Sequence, residues 1–89
     1  MYFALICRDK PGALQIRKDN RDAHLAYIAE TGVVFMAGPF IEAGEMSGSL
    51  VILTLDSLEA AQEWAANDPY AKAGLFADVS VQEWKKVVG

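Results

Sequence analysis

Residues 50–59 read LVILTLDSLE, and this stretch decides the architecture. Leu50 to Leu55 form a short apolar run, the length and composition of a β-strand. Asp56 and Ser57 then offer a helix cap, and Glu59 answers Asp56 at capping-box spacing. A strand therefore passes into a helix with almost no loop. That helix runs through Ala60, Ala61, Trp64 and Ala65 toward Asn67. Asp68-Pro69 restarts the chain, with Asp68 as cap and Pro69 at the first position of a short helix ending near Gly74. Val79 to Val88, with Trp84 inside it, reads as the last strand.

Toward the N-terminus, Tyr2 to Cys7 is a near-continuous apolar run closed by the turn cluster Arg8-Asp9-Lys10-Pro11-Gly12. Ala13 to Glu30 has roughly helical spacing of apolar residues, and Gly32 supplies the stop. Asn20 and Asp22 weaken its middle, so a kink or break is expected there. Val33 to Ala37 is β-rich, and Gly38-Pro39 is read as interrupting it. Glu42 to Gly48 reads as a hairpin loop. The order is β-α-β-β-α-β with a short extra helix, the α+β ferredoxin-like unit. It predicts a four-stranded antiparallel sheet with both long helices on one face, and a single domain over residues 1–89.

The strands are apolar on both sides. Tyr2, Ala4 and Ile6 point one way, and Phe3, Leu5 and Cys7 the other. Leu50 and Ile52 oppose Val51, Leu53 and Leu55 in the same manner. Helices can cover only one face. The economical cover for the second is the same face of another copy, so a homodimer is expected.

Composition narrows the function classes. The net charge of −4 and pI near 4.7 disfavour nucleic-acid binding. No apolar run approaches the roughly 20 residues of a membrane span. A single cysteine, Cys7, forms no internal disulfide, and no signal-peptide pattern opens the chain, so a cytoplasmic setting is expected. One histidine and one cysteine make no recognisable zinc site, and no glycine-rich phosphate loop or nucleotide fingerprint is present. No cofactor and no metal are expected.

Several motifs, in order and spacing, resemble the YciI-like (YCII-related) family of the dimeric α/β-barrel superfamily. They are Arg21-Asp22-Ala23-His24-Leu25, Ala37-Gly38-Pro39 and Ser47-Gly48-Ser49. Most specific is Ala61-Gln62-Glu63-Trp64-Ala65-Ala66-Asn67-Asp68-Pro69-Tyr70, followed by Ala73-Gly74-Leu75-Phe76. The resemblance covers essentially the whole chain. It implies a dimer-forming ferredoxin-like fold and a site centred on His24 and Asp68, with Ser49 nearby. One characterised member of that family is a dehydrochlorinase of a chlorinated aromatic breakdown product. Some relatives have a longer loop than Glu42–Met46 here, which bears on which substrate fits.

His24 is the only histidine, and imidazole is the side chain best suited to moving protons near neutrality. Asp68 as its partner would fix the tautomer and raise the basicity. Without the resemblance, His24 also reads as a solvated helix residue and Asp68 as a plain cap. Arg17, Arg21 and His24 fall at i, i+4 and i+7, on one helix face able to receive an anionic substrate. An exposed stripe paired with carboxylates is the plainer reading for the two arginines. Tyr70 lines the site or serves as a core aromatic. Trp64 and Trp84 read as packing residues, and Cys7 as inert.

The expectation is a small cofactor-free enzyme. His24 and Asp68 would act as an acid–base pair on a small organic substrate, anionic or aromatic, by elimination, isomerisation or hydrolysis. The alternative is a non-catalytic ligand-binding or accessory dimer.

Overall fold

The computed structural model describes residues 1–89. Its elements are β1 (Tyr2–Asp9), α1 (Leu14–Thr31), β2 (Val34–Glu42), β3 (Glu45–Thr54), α2 (Leu58–Asn67), α3 (Pro69–Lys72) and β4 (Phe76–Trp84). The four strands form one sheet in the order β2-β3-β1-β4, and every neighbouring pair is antiparallel. This is the ferredoxin-like arrangement expected from the element order. No helix is long and apolar enough to cross a membrane.

The helix ends follow the chemistry of their residues. Gly32 closes α1 in the left-handed conformation, φ 64°, and sends its N–H to the Ile28 carbonyl. Ser57, of the two candidate caps, serves α2 by accepting from the N–H of Ala60 at 3.1 Å. Asp68 caps α3 through the N–H of Tyr70. The break expected at Asn20 and Asp22 is absent, and α1 is one element across both. Asn20 turns its amide back onto its own helix, donating to the Ile16 carbonyl at 2.9 Å.

Every strand has at least one boundary that differs from the sequence reading, and β1 runs on through Arg8 and Asp9 of the expected turn cluster. β2 runs straight through Gly38-Pro39, and Pro39 stands opposite Ser49. An edge strand needs no ladder donor on its outer side, so proline is tolerated there. The loop expected over Glu42–Gly48 shrinks to Ala43-Gly44, both at positive φ, 49° and 79°. Such two-residue turns match the twist of the flanking strands. Gly48 belongs to β3, where any β-carbon would collide with the Cys7 carbonyl on β1. β4 begins at Phe76 rather than Val79 and ends at Trp84 rather than Val88. Its early start follows from pairing with the end of β1, where Asp9 stands opposite Phe76 and Lys10 donates to the Leu75 carbonyl.

The core lies between the sheet and the helices. Phe3, Leu5 and Cys7 alternate inward on β1, beside Val51 and Leu53 on β3, under Ala61, Trp64 and Ala65 of α2. Tyr27 on α1 donates to the Trp64 carbonyl, and the Trp64 indole donates to Thr31, which ties α1 to α2. The opposite face carries Tyr2, Ala4 and Ile6 in register with Ile52 and Leu50, with no helix over it. Tyr2 packs there against Phe35 and Trp84.

Candidate functional site

Asp68 sits between α2 and α3, 1% exposed, where Pro69 at the start of α3 turns the chain. Its Oδ1 accepts from the N–H of Tyr70 at 3.0 Å and lies 2.8 Å from Nδ1 of His24 on α1. A carboxylate can only accept, so Nδ1 carries the hydrogen. Neutral His24 therefore keeps its lone pair on Nε2, which has no partner in the protein and is not sealed away from the cavity that His24 lines. Tyr70, 2% exposed, stacks on the imidazole with ring centres 4.0 Å apart and planes 15° from parallel. Burial pushes its phenol above the ordinary range, against the pull of Arg17 and Arg21, so the hydroxyl stays protonated.

Arg17 is not part of an exposed stripe. It is 2% exposed and clamped by Asp9, with Nε to Oδ2 at 2.7 Å and Nη2 to Oδ1 at 2.8 Å. Burial disfavours its charge, and the Asp9 carboxylate outweighs that penalty, so its pKa is raised. Nη2 also donates to Ser49 Oγ at 3.0 Å, and the guanidinium carbon lies 4.8 Å from the centre of the Tyr70 ring. Arg21, one turn on, is exposed and makes no ion pair.

Arg17, Arg21, His24, Ser49 and Tyr70 line one cavity of about 150 Å³, walled elsewhere by Leu25, Ile28, Pro39, Met46 and Val51. A cavity of that size has room for about one benzene-sized ring, here between a polar and an apolar wall. Five of the six residues singled out in the sequence thus meet at one surface, and Asp68 supports His24 from behind. No group of three histidine, cysteine or acidic side chains gathers anywhere in the fold. Cys7 is 1% exposed, and burial, with Asp68 and Asp9, pushes its thiol up to about 12 despite Arg17.

Asp9 is the residue the sequence reading missed, since it was assigned to a turn. Its role follows from the burial of Arg17, since a buried guanidinium requires a carboxylate partner, and that burial is visible only in the fold.

A model of the YCII-related domain matches residues 1–85. An uncharacterised protein of Haemophilus influenzae is 39% identical over 98 residues, spanning 98% of this chain and 99% of that protein. The YciI protein of Escherichia coli is 39% identical over 97 residues, with the same coverage of 98% and 99%. Among solved structures, 5-chloro-2-hydroxyhydroquinone dehydrochlorinase (TftG) from Burkholderia phenoliruptrix, in complex with 2,5-dihydroxybenzoquinone, superposes with a TM-score of 0.90. It is 39% identical, covering 96% of this chain and 94% of its own. A protein from Agrobacterium tumefaciens, 18% identical with a TM-score of 0.60 over 98% of this chain and 94% of its own, shares the fold.

Proposed function

We propose, from the premise that this chain belongs to the YCII-related domain family, that it is an enzyme using His24 as general base on a small oxygenated ring. The observation that carries this reading is the 2.8 Å contact between His24 Nδ1 and Asp68 Oδ1, which leaves Nε2 free at the cavity. Nε2 takes a proton from a ring C–H or a hydroxyl of the substrate, and Asp68 stabilises the imidazolium that forms. The electron pair left on the substrate then expels a group from a neighbouring carbon, or the proton returns at another carbon. The first outcome is elimination, the second isomerisation, and neither asks the protein for a cofactor. The same base could instead activate a water for hydrolysis. A single-ring substrate is supported by the cavity size and by the aromatic chemistry of the dehydrochlorinase relative.

The working form is a homodimer closed over the helix-free face of the sheet. Supporting this, the face carries Tyr2, Ile6, Leu50 and Ile52, and leaves Met36 54% exposed and Trp84 39% exposed.

The test incubates the purified protein with 5-chloro-2-hydroxyhydroquinone and related oxygenated rings, following chloride release and new products by chromatography. Turnover that His24→Asn abolishes supports the reading. Turnover that survives His24→Asn removes His24 as the base. A protein that binds rings and converts none is a ligand-binding dimer instead.

A further inference from the structure

Ser49 Oγ receives an N–H from Nη2 of Arg17 at 3.0 Å. A guanidinium has no acceptor, so the direction is fixed: the serine accepts, and its own hydrogen points elsewhere. No acceptor in the chain takes that hydrogen, and Ser49 lines the cavity. Arg17 cannot swing away, because Nε and Nη2 are both held by Asp9. These contacts use three of its five N–H groups. The Tyr70 hydroxyl is the one other acceptor that the guanidinium meets, and it can take at most one of the two N–H groups on Nη1, so Nη1 keeps a donor for the cavity that Arg17 lines.

We propose that Asp9, acting through Arg17, makes Ser49 a hydrogen-bond donor into the cavity. The Ser49 hydroxyl and Nη1 of Arg17 together then hold a negatively charged oxygen of the ligand, an enolate or phenolate on a planar ring. The inference rests on the ring-binding reading above and supplies the other half of its chemistry. When Nε2 removes a proton, the charge left behind spreads to a conjugated oxygen. Donors fixed beforehand at that oxygen lower the barrier without rearranging during the reaction. Asp9 is a positioning residue here: it cancels the charge of Arg17 and sets the fork, and the ligand meets directed N–H and O–H groups. Arg21, the one unpaired cation of the site, lines the same cavity and adds its charge there, whereas Asp9 has cancelled that of Arg17.

The test uses 2,5-dihydroxybenzoquinone, whose oxygens share negative charge near neutral pH, against uncharged hydroquinone of the same ring size. Binding to the whole protein is read by calorimetry, without turnover, on variants whose fold is checked by circular dichroism. The wild type is expected to prefer the charged ring. Ser49→Ala should weaken the charged ring by about ten- to a hundredfold, and hydroquinone much less. Asp9→Asn should weaken it as well, and the double variant should lose less than the two single losses combined, because both act on one contact.

Equal losses for both rings, or additive losses, overturn the proposal, as does a wild type that binds neither ring. Tighter binding by Asp9→Asn also overturns it, since Asp9 would then be shielding Arg17 rather than supporting Ser49. If Asp9→Asn does not fold, the Ser49→Ala comparison decides alone. The predicted binding pattern in a protein that converts no ring would keep the corner and sink the acid–base reading.

Discussion

The ring of Tyr70 lies face to face with that of His24, 4.0 Å between centres. The same two residues are joined through one atom, because Oδ1 of Asp68 meets both Nδ1 of His24 and the backbone N–H of Tyr70. The imidazole is thus fixed in plane by the stack and in tautomer by the carboxylate. Neither constraint needs a ligand, so the base is oriented before anything binds.

Asp68→Asn separates the two duties of that carboxylate. Asparagine still caps α3, so the urea midpoint should move less than in Asp68→Ala, where the lost cap alone costs about 1 kcal/mol. The asparagine amide can donate to Nδ1 and push the hydrogen onto Nε2, which then is no longer a base. Turnover should fall about a hundredfold or more. Full activity in Asp68→Asn would falsify the acid–base pair.

Cys7 gives the fold a signature at high pH. Its thiol is pushed from an ordinary 9.0 up to about 12, so the folded chain holds a proton that the unfolded chain gives up first. The corresponding stability is complete below pH 9 and drains away between pH 9 and about 12. Tyr27 and Tyr70, also raised by burial, act in the same direction from their ordinary 10.0 upward. Denaturation curves of Cys7→Ala should lack the part of the loss that begins near pH 9. An identical alkaline profile in wild type and variant would refute the assignment.

Ala43 occupies the left-handed region at φ 49°, beside Gly44 at φ 79°. A side chain at positive φ costs about 1–2 kcal/mol unless it is asparagine, aspartate or glycine. Ala43→Asn creates the Asn-Gly pair this turn favours and should stabilise the protein by up to about 1 kcal/mol. The readout is the urea midpoint at unchanged slope. A midpoint that falls means the hairpin turns by another geometry.

Met36 tests the covering of the open face. It is 54% exposed and stands opposite Ile52 on β3, so Met36→Lys harms no core contact of the single chain. Light scattering should report a dimer for the wild type and a monomer of undiminished helix content for the variant. A wild type that is monomeric at micromolar concentration, or a dimer indifferent to the lysine, removes this face as the interface.

The element order was legible because each helix is announced by local chemistry: Ser57 and Asp68 cap, Pro69 starts, Gly32 stops. The errors fell where tertiary pairing overrides local signals. Pro39 looks like a breaker, yet an edge strand accepts it. Gly48 looks like loop, yet it is required by the close approach of β1 and β3. Phe76 joins β4 only because β1 is there to pair with it. At the site, the face shared by Arg17, Arg21 and His24 could be read from spacing. The meeting of His24 with Asp68, 44 residues away, could not, and only family resemblance pointed to it. Asp9 escaped because nothing local distinguishes a carboxylate in a turn from one that clamps a buried arginine.

Sharing one carboxylate oxygen between a helix cap and an imidazole ties two clocks together. A displacement of Asp68 frees the start of the four-residue helix α3 and the imidazole of His24 together. The Tyr70 amide is shielded from hydrogen exchange while Asp68 accepts from it, and exchange detects the local openings that break such a bond. The exchange rate at that single amide therefore sets an upper limit on how often Asp68 leaves the imidazole unsupported, in a tube that holds only the protein and heavy water.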